Sequence, residues 1–199
     1  MYHRAHKKKY RLVITGNPGV GKHTTAKFLV QSLIGAKIVD INKIAIDNNV
    51  MITKKARDNA EIDKKRLAKL MKFELKNLQH LVIVGHLAPY VMKSLAIDLV
   101  VVLRRSSNEL SRIFEERKYS DRKIKENIAS EILDICLYDA VMTFGKDKIT
   151  EFDTTGKRPQ EITNKILLSL YKPSTRRLGT VDWLTPIYQK GDINKFMEY

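Results

Sequence analysis

Short, unbroken apolar runs alternate along this chain with stretches whose apolar residues recur at helical spacing, and that alternation predicts strands separated by helices. Arg11 to Ile14 reads as a strand. The helix expected after it, Lys22 to about Leu33, carries Phe28, Leu29, Ser32 and Leu33 on one side and stops at Gly35. Lys37 to Asp40 is a second strand. The mixed stretch from Ile41 to Lys55 defines no element, and a helix is expected from about Glu61 to Leu78, with Leu67, Leu70, Met71, Glu74 and Leu78 at its periodic positions. Leu81 to Val84 is apolar throughout, which suits the middle of a parallel sheet. A short helix at Pro89 to Ser94, a strand at Leu99 to Leu103 ending in Arg104-Arg105, and a helix at Asn108 to Glu116 follow. One long amphipathic helix is expected from Asp121, capped by Ser120, with Ile124, Ile128, Ile132, Ile135, Cys136 and Val141 inward and Gly145 closing it. Ile149 to Phe152 is the fifth strand, and Pro159 opens a last helix that buries Ile162, Ile166 and Leu170.

Five strands separated by helices imply an α/β, three-layer fold: a doubly wound parallel sheet with right-handed crossovers. Such sheets bind ligands beyond the carboxyl ends of their strands. That edge holds Asp40, His86, Arg104 and Arg105, whereas Asp98 begins its strand and points to the opposite edge.

Between the first strand and the first helix lies Gly16 to Thr24, G-N-P-G-V-G-K-H-T. Strand, glycine loop and helix in that order make a phosphate cradle, because glycines let backbone N–H groups turn inward and the helix start adds unpaired amides and a positive dipole end. Lys22 would reach the β and γ phosphates. A cation at that end of a helix is unfavourable on its own, so its presence argues for an anion there. The residue after the lysine is His23 rather than Ser or Thr, and Pro18 stands second after the opening glycine. Thr24, with Thr25 behind it, is therefore the candidate for the phosphate or Mg²⁺ hydroxyl. The strand that ordinarily ends in a magnesium-shell acid reads Val84-Gly85-His86 here. Either Asp40 substitutes from the adjacent strand, or water and phosphate oxygens complete the shell. His86 is placed to approach the γ-phosphate or an attacking water, unless it is simply a loop histidine.

Composition narrows the class. The chain has 199 residues with 43% hydrophobic content, enough for one core, and no run of eighteen apolar residues, so a soluble, cytoplasmic protein with no membrane association is expected. Cys136 is the single cysteine, which excludes an intrachain disulfide and suits packing in a helix. The histidines make no zinc spacing. The formal charge of +15 exceeds what nucleotide binding needs and points to polyanionic company. Five of the first eleven residues are basic, as are eight of residues 54 to 72, and Arg176-Arg177 adds a third cluster. Each could be a solvated face; together they favour RNA contact.

The loop T-G-N-P-G-V-G-K-H-T, V-G-H-L after the third strand, V-L-R after the fourth, R-K-Y-S-D-R-K-I-K-E-N-I-A-S-E-I-L, and E-F-D-T-T-G-K-R-P-Q-E-I from Glu151 together resemble the adenylate kinase isoenzyme six (CINAP) family of adenylate-kinase-like NTPases. The likeness covers roughly residues 10 to 170. It implies a P-loop NTPase whose five-stranded parallel sheet is of the nucleoside-monophosphate-kinase type with a short lid. It also implies ATP, AMP and Mg²⁺ as ligands, ATPase and adenylate kinase activities, and a role in small ribosomal subunit biogenesis and rRNA maturation through the ribosomal protein uS11, with rRNA contact. On that pattern residues 1–10 form a basic arm and 11–171 the kinase-like domain. Residues 41–63 form the monophosphate-binding region, 115–125 the lid, and 172–199 a C-terminal extension.

By position Arg117 matches the lid arginine and His86 the histidine of the family's Asp-x-His element. Val84 stands in place of that aspartate, and Lys118 replaces the lid's usual glycine. Lys22, His86 and Arg117 are the expected catalytic residues. Gly16, Pro18, Gly19, Val20, Gly21, Lys22, His23, Thr24, Thr25, Arg105 and Arg117 would bind the nucleotide, and Thr24 the metal. Adenine would lie between the lid base and Thr154-Thr155-Gly156, with Arg122 helping the lid and Asp63 contacting the acceptor. Trp183 marks an extension that either folds back on the core or docks a partner, and Phe196, Met197 and Tyr199 end it. A metabolic adenylate kinase and a weakly catalytic nucleotide-binding protein associated with RNA are the competing readings.

Overall fold

A computed structural model describes residues 10–52, 61–93 and 95–189. The basic arm at 1–9, the basic residues Lys54, Lys55 and Arg57, and Phe196, Met197 and Tyr199 lie outside the described residues. In chain order the elements begin β1 (Arg11–Thr15), α1 (Lys22–Ser32), β2 (Lys37–Asp40), α2 (Ile41–Asp47), β3 (Met51–Ile52), β4 (Glu61–Ile62), α3 (Lys64–Leu75), β5 (Leu81–Val84) and α4 (Ala88–Val91). They continue with β6 (Leu99–Arg104), α5 (Ser107–Glu116), α6 (Asp121–Ile132), α7 (Ile135–Phe144), β7 (Ile149–Asp153), α8 (Pro159–Tyr171) and α9 (Leu184–Gln189).

The five long strands form one parallel sheet in the order β2-β5-β1-β6-β7, while β3 and β4 make a separate antiparallel pair. The three central strands are buried on both faces, which is why their sequences are continuously apolar. Alternation along β1 sorts the core: Leu12 and Ile14 face one layer with Leu29, Phe114, Ile132 and Ile166, and Val13 faces the other with Ile41, Leu67, Met71 and Val91. Each fully buried Leu or Ile contributes about 1.5–3 kcal/mol. The chain reverses direction of winding at β1, so the crevice at its carboxyl end opens between β5 and β6. No helix among the described residues is long and apolar enough to cross a membrane.

Five expectations are corrected. The single long helix from Asp121 is two, α6 and α7, broken where Asp134 takes a left-handed conformation at φ 57°. Ser120 precedes α6 without a side-chain cap. The stretch after Asp40 contains helix α2, and the Asp40 carboxylate caps it by accepting from Asn42 N and Lys43 N at 2.9 and 3.2 Å. The helix expected from Glu61 starts at Lys64, where Asp63 accepts from Arg66 N at 2.9 Å; Asp63 is thus a cap, and Leu67, Met71 and Leu75 are the buried positions rather than Glu74 or Leu78. On α1, Ser32 is exposed and Thr25, Ala26 and Leu29 face inward.

Candidate phosphate-binding site

The loop after β1 needs its glycines. Gly16 has φ 132°, and a Cβ there would lie 2.3 Å from the Leu103 carbonyl oxygen, so β6 passes too close for any side chain. Gly19 has φ 86°, and a Cβ would come within 2.8 Å of Leu110 Cδ2. Gly21 precedes α1 with φ 91°, and that helix start has neither a side-chain cap nor an acid in its first turn. Its amides are left for an anion. Lys22 is buried and its ammonium donates to the carbonyls of Gly16 and Asn17 at 2.9 and 2.7 Å. Burial pulls its pKa down to about 8, opposed by the negative charge of Glu131 and Asp40.

The loop opens on a cleft of about 1050 Å³. Of the residues expected from sequence, Pro18, Gly19, Val20, Gly21, Lys22, His23, Thr24, Thr25, His86, Arg105, Arg117, Arg122 and Thr154 line it. Thr155 and Gly156 do not: Thr155 Oγ1 accepts from Ser106 N at 2.9 Å and Gly156 N donates to Glu109 at 2.9 Å, so this turn braces the start of α5. Thr154 Oγ1 accepts from Arg105 Nε at 3.1 Å and donates to the Arg104 carbonyl at 2.8 Å, which holds Arg105 at the cleft wall. Six cations line the cleft (Lys22, Arg105, Arg117, Arg122, Lys123 and Lys157) against two acids, Glu116 and Glu126. Such an excess favours a polyanionic ligand.

Two histidines differ. His86 is mostly buried, and burial with the charges of Lys22 and Lys64 lowers its pKa to about 4, so the ring is neutral near pH 7. His23, half exposed, bonds through Nε2 to Asp40 Oδ2 at 2.6 Å. Burial raises the Asp40 carboxyl, but the hydrogen bonds from His23, Lys43 N and Asn42 N outweigh it and hold the group below the usual carboxylate range. In the β2–β5 ladder Asp40 stands level with Val84. A carboxylate is therefore present one strand over from the position where the sequence lacks it. Among the described residues no three His, Cys, Asp or Glu side chains group as a metal cage.

Arg104, which the strand-end rule placed with the ligand, is instead enclosed at 1% exposure. Its Nε donates to Glu131 Oε1 at 2.7 Å, Nη1 to Glu151 Oε1 at 2.7 Å, and Nη2 to Asp134 and, at 2.7 Å, to the Glu131 carbonyl. Arg176 is half-buried, its guanidinium donating to the carbonyls of Ser169, Asp147 and Asp98. Sequence reasoning missed Glu131 and Glu151. The signal for Glu131 was present, since an acid at 131 falls in the inward stripe of Ile128 and Ile132. Cys136 packs as expected; its thiol donates to Asn17 Oδ1 at 3.2 Å and burial raises its pKa to about 12. Between α5 and α6, Lys118 keeps the positive φ, 56°, that a glycine would take freely, and Tyr119 stacks on Phe114 at 5.3 Å between centroids.

A sheet of this order with a glycine loop and lysine at its switch point defines a P-loop phosphotransferase, and comparison with known proteins agrees. A family model described as an AAA domain matches residues 12–134. A Pyrococcus furiosus protein named "Putative adenylate kinase" is 36% identical over 179 residues, covering 90% of this chain and 93% of its own. A Methanocaldococcus jannaschii protein of the same name is 34% identical over 175 residues, covering 87% and 92%. Among solved structures, shikimate kinase from Acinetobacter baumannii in complex with shikimate has a TM-score of 0.58 at 17% identity, over 80% of this chain and 92% of that one. Thymidylate kinase from Candida albicans has a TM-score of 0.54 at 13% identity, over 87% and 96%. At those identities the likeness is one of fold. The chain belongs to the adenylate-kinase-like family of its archaeal relatives and is a nucleotide-kinase-type enzyme.

Proposed function

We propose that the chain transfers the γ-phosphoryl group of ATP to AMP, or to water, with Mg²⁺. The observation that carries this reading is the convergence of Lys22, Arg105 and Arg117 on one cleft with the uncapped start of α1. In it the amides from Gly19 to Lys22 hold the β-phosphate, and Lys22 exchanges its carbonyl partners for β and γ oxygens. Arg117, helped by Arg105, spreads the charge that develops on the transferring group; an arginine in that role is worth about 10³-fold or more in rate. His86, neutral, can orient an acceptor oxygen or a water by hydrogen bonding but adds no charge. The exposed Thr24 hydroxyl and the ionised Asp40, level with Val84, are suited to Mg²⁺, Asp40 through water. The ion would supply neutralisation of phosphate charge.

Residues 115–125 serve as the lid and 41–63 as the acceptor region, within a kinase-like domain spanning 11–171. Thr154 supports the adenine side of the cleft, while Thr155 and Gly156 act by bracing α5.

A second reading is favoured by the +15 charge. In it turnover times a step of small ribosomal subunit assembly, with uS11 and rRNA as partners, as the resemblance to the isoenzyme-six family implies. ADP formation from ATP, measured with and without AMP and then with purified uS11 or pre-rRNA, tests both. Rapid conversion that needs AMP supports the kinase; slow turnover stimulated by uS11 or RNA supports the assembly factor. Lys22→Ala should lower kcat/KM by at least about 10²-fold in either case. Unchanged nucleotide binding and hydrolysis in that variant would defeat the site assignment.

A further inference from the structure

Residues 177–183 lie against the buried ionic network that borders the phosphate loop. Thr180 N and Oγ1 both donate to Glu151 Oε2, at 2.9 and 3.3 Å, and the Arg177 carbonyl accepts from Glu151 N at 2.9 Å. Trp183, packed against the core, donates from Nε1 to Glu131 Oε1 at 3.3 Å. Glu151 and Glu131 are also the buried acids that hold Arg104.

Glu131 continues the connection into the loop. Its Oε2 accepts from Asn17 Nδ2 at 2.7 Å, and its Oε1 accepts from Arg105 N at 3.1 Å as well as from Arg104 and Trp183. Asn17 Oδ1 in turn accepts from Ser130 Oγ at 3.0 Å and from Cys136 Sγ at 3.2 Å, so both ends of its amide are fixed. The carbonyl of the same residue accepts from Lys22 Nζ at 2.7 Å. One carboxylate thus joins the indole of Trp183, the backbone beside Arg105 and the loop residue that holds the phosphate-binding lysine. A carboxylate this buried needs its donors, and a lost one shifts the others' positions because the low local dielectric strengthens each remaining bond.

We propose that residues 177–183 act as a positioning clasp for the phosphate loop: Trp183 and Thr180 fix Glu131 and Glu151, Glu131 fixes Asn17, and nucleotide affinity depends on that chain of bonds. Trp183 and Glu131 are positioning residues that touch no substrate. The effect on affinity rests on the nucleotide reading above; the effect on the loop does not.

Two variants of the full chain test it. Trp183→Phe keeps an aromatic ring on the core and removes the N–H, and Thr180→Val removes the hydroxyl bond to Glu151. In nucleotide-free protein, hydrogen exchange read by mass spectrometry should be faster for amides 16–22 in Trp183→Phe, by about threefold to tenfold, with β5 amides unchanged. The Kd for a fluorescent ADP analogue should rise by about the same factor, and less in Thr180→Val. Loop exchange and Kd equal to wild type in both variants would overturn the clasp, even if thermal stability fell, because the indole would then serve packing alone. A uniform rise in exchange across the sheet would overturn it too, as a sign of global loosening. If wild type bound no analogue while the exchange difference persisted, the nucleotide reading would fail and the mechanical link would stand.

Discussion

The phosphate loop has two unlike neighbours. On its β6–β7 side lie Arg104, Glu131, Glu151 and Asn17, all buried and joined by bonds of 2.7 Å. On its β2–β5 side lie His23 and Asp40, partly open to solvent, and the neutral ring of His86. Polar groups withdrawn from water must be paired or they cost several kcal/mol each, so the first side has one arrangement. The second can change partners at little cost. The loop is therefore anchored from the β6–β7 side and left responsive on the β2–β5 side.

Variants on each side should differ accordingly. Arg104→Met leaves two buried carboxylates without their cation and should cost about 3–5 kcal/mol in urea denaturation; a loss below about 1 kcal/mol would show that the network is not the anchor. Asp40→Ala removes the cap of α2 and should cost about 1 kcal/mol, since its contact with the half-exposed His23 adds little. The same variant should need more Mg²⁺ for half-maximal turnover, and an unchanged Mg²⁺ requirement would remove Asp40 from the metal's surroundings.

His86 has the smallest effect at neutrality. Its folded pKa of about 4 lies below the ordinary value of 6.5, so the fold binds fewer protons than the unfolded chain in that interval. The stability tied to its neutral form is present above pH 6.5 and is lost as pH falls towards 4. Urea midpoints at pH 7 and pH 5 should show that loss in wild type and a smaller one in His86→Gln.

The anchored side was the less legible in sequence. Strands buried on both faces and a glycine loop between strand and helix are local patterns, and β1, β2, β5, β6 and β7 fall where the apolar runs place them. Helix α2 carried a local signal too, in the capping Asp40. The break at Asp134 did not, because apolar spacing continues from Ile132 to Ile135 and Cys136 across it. What rewards the break is distant: Arg104, 27 positions earlier, donates to the Glu131 carbonyl that an unbroken helix would use internally. For the same reason Arg104 and Arg105 look alike in sequence, although one is enclosed and the other lines the cleft. The bracing bonds of Thr155 and Gly156 were not legible either, because their partners, Ser106 and Glu109, belong to another loop and helix.

Asp40 spends one oxygen on the first amides of α2 and the other on the ring of His23 in α1. A single carboxylate thus rivets the start of α2 to α1. Any outward swing of α2 must first pull that rivet, so movement of α2 is registered one residue from the buried Lys22.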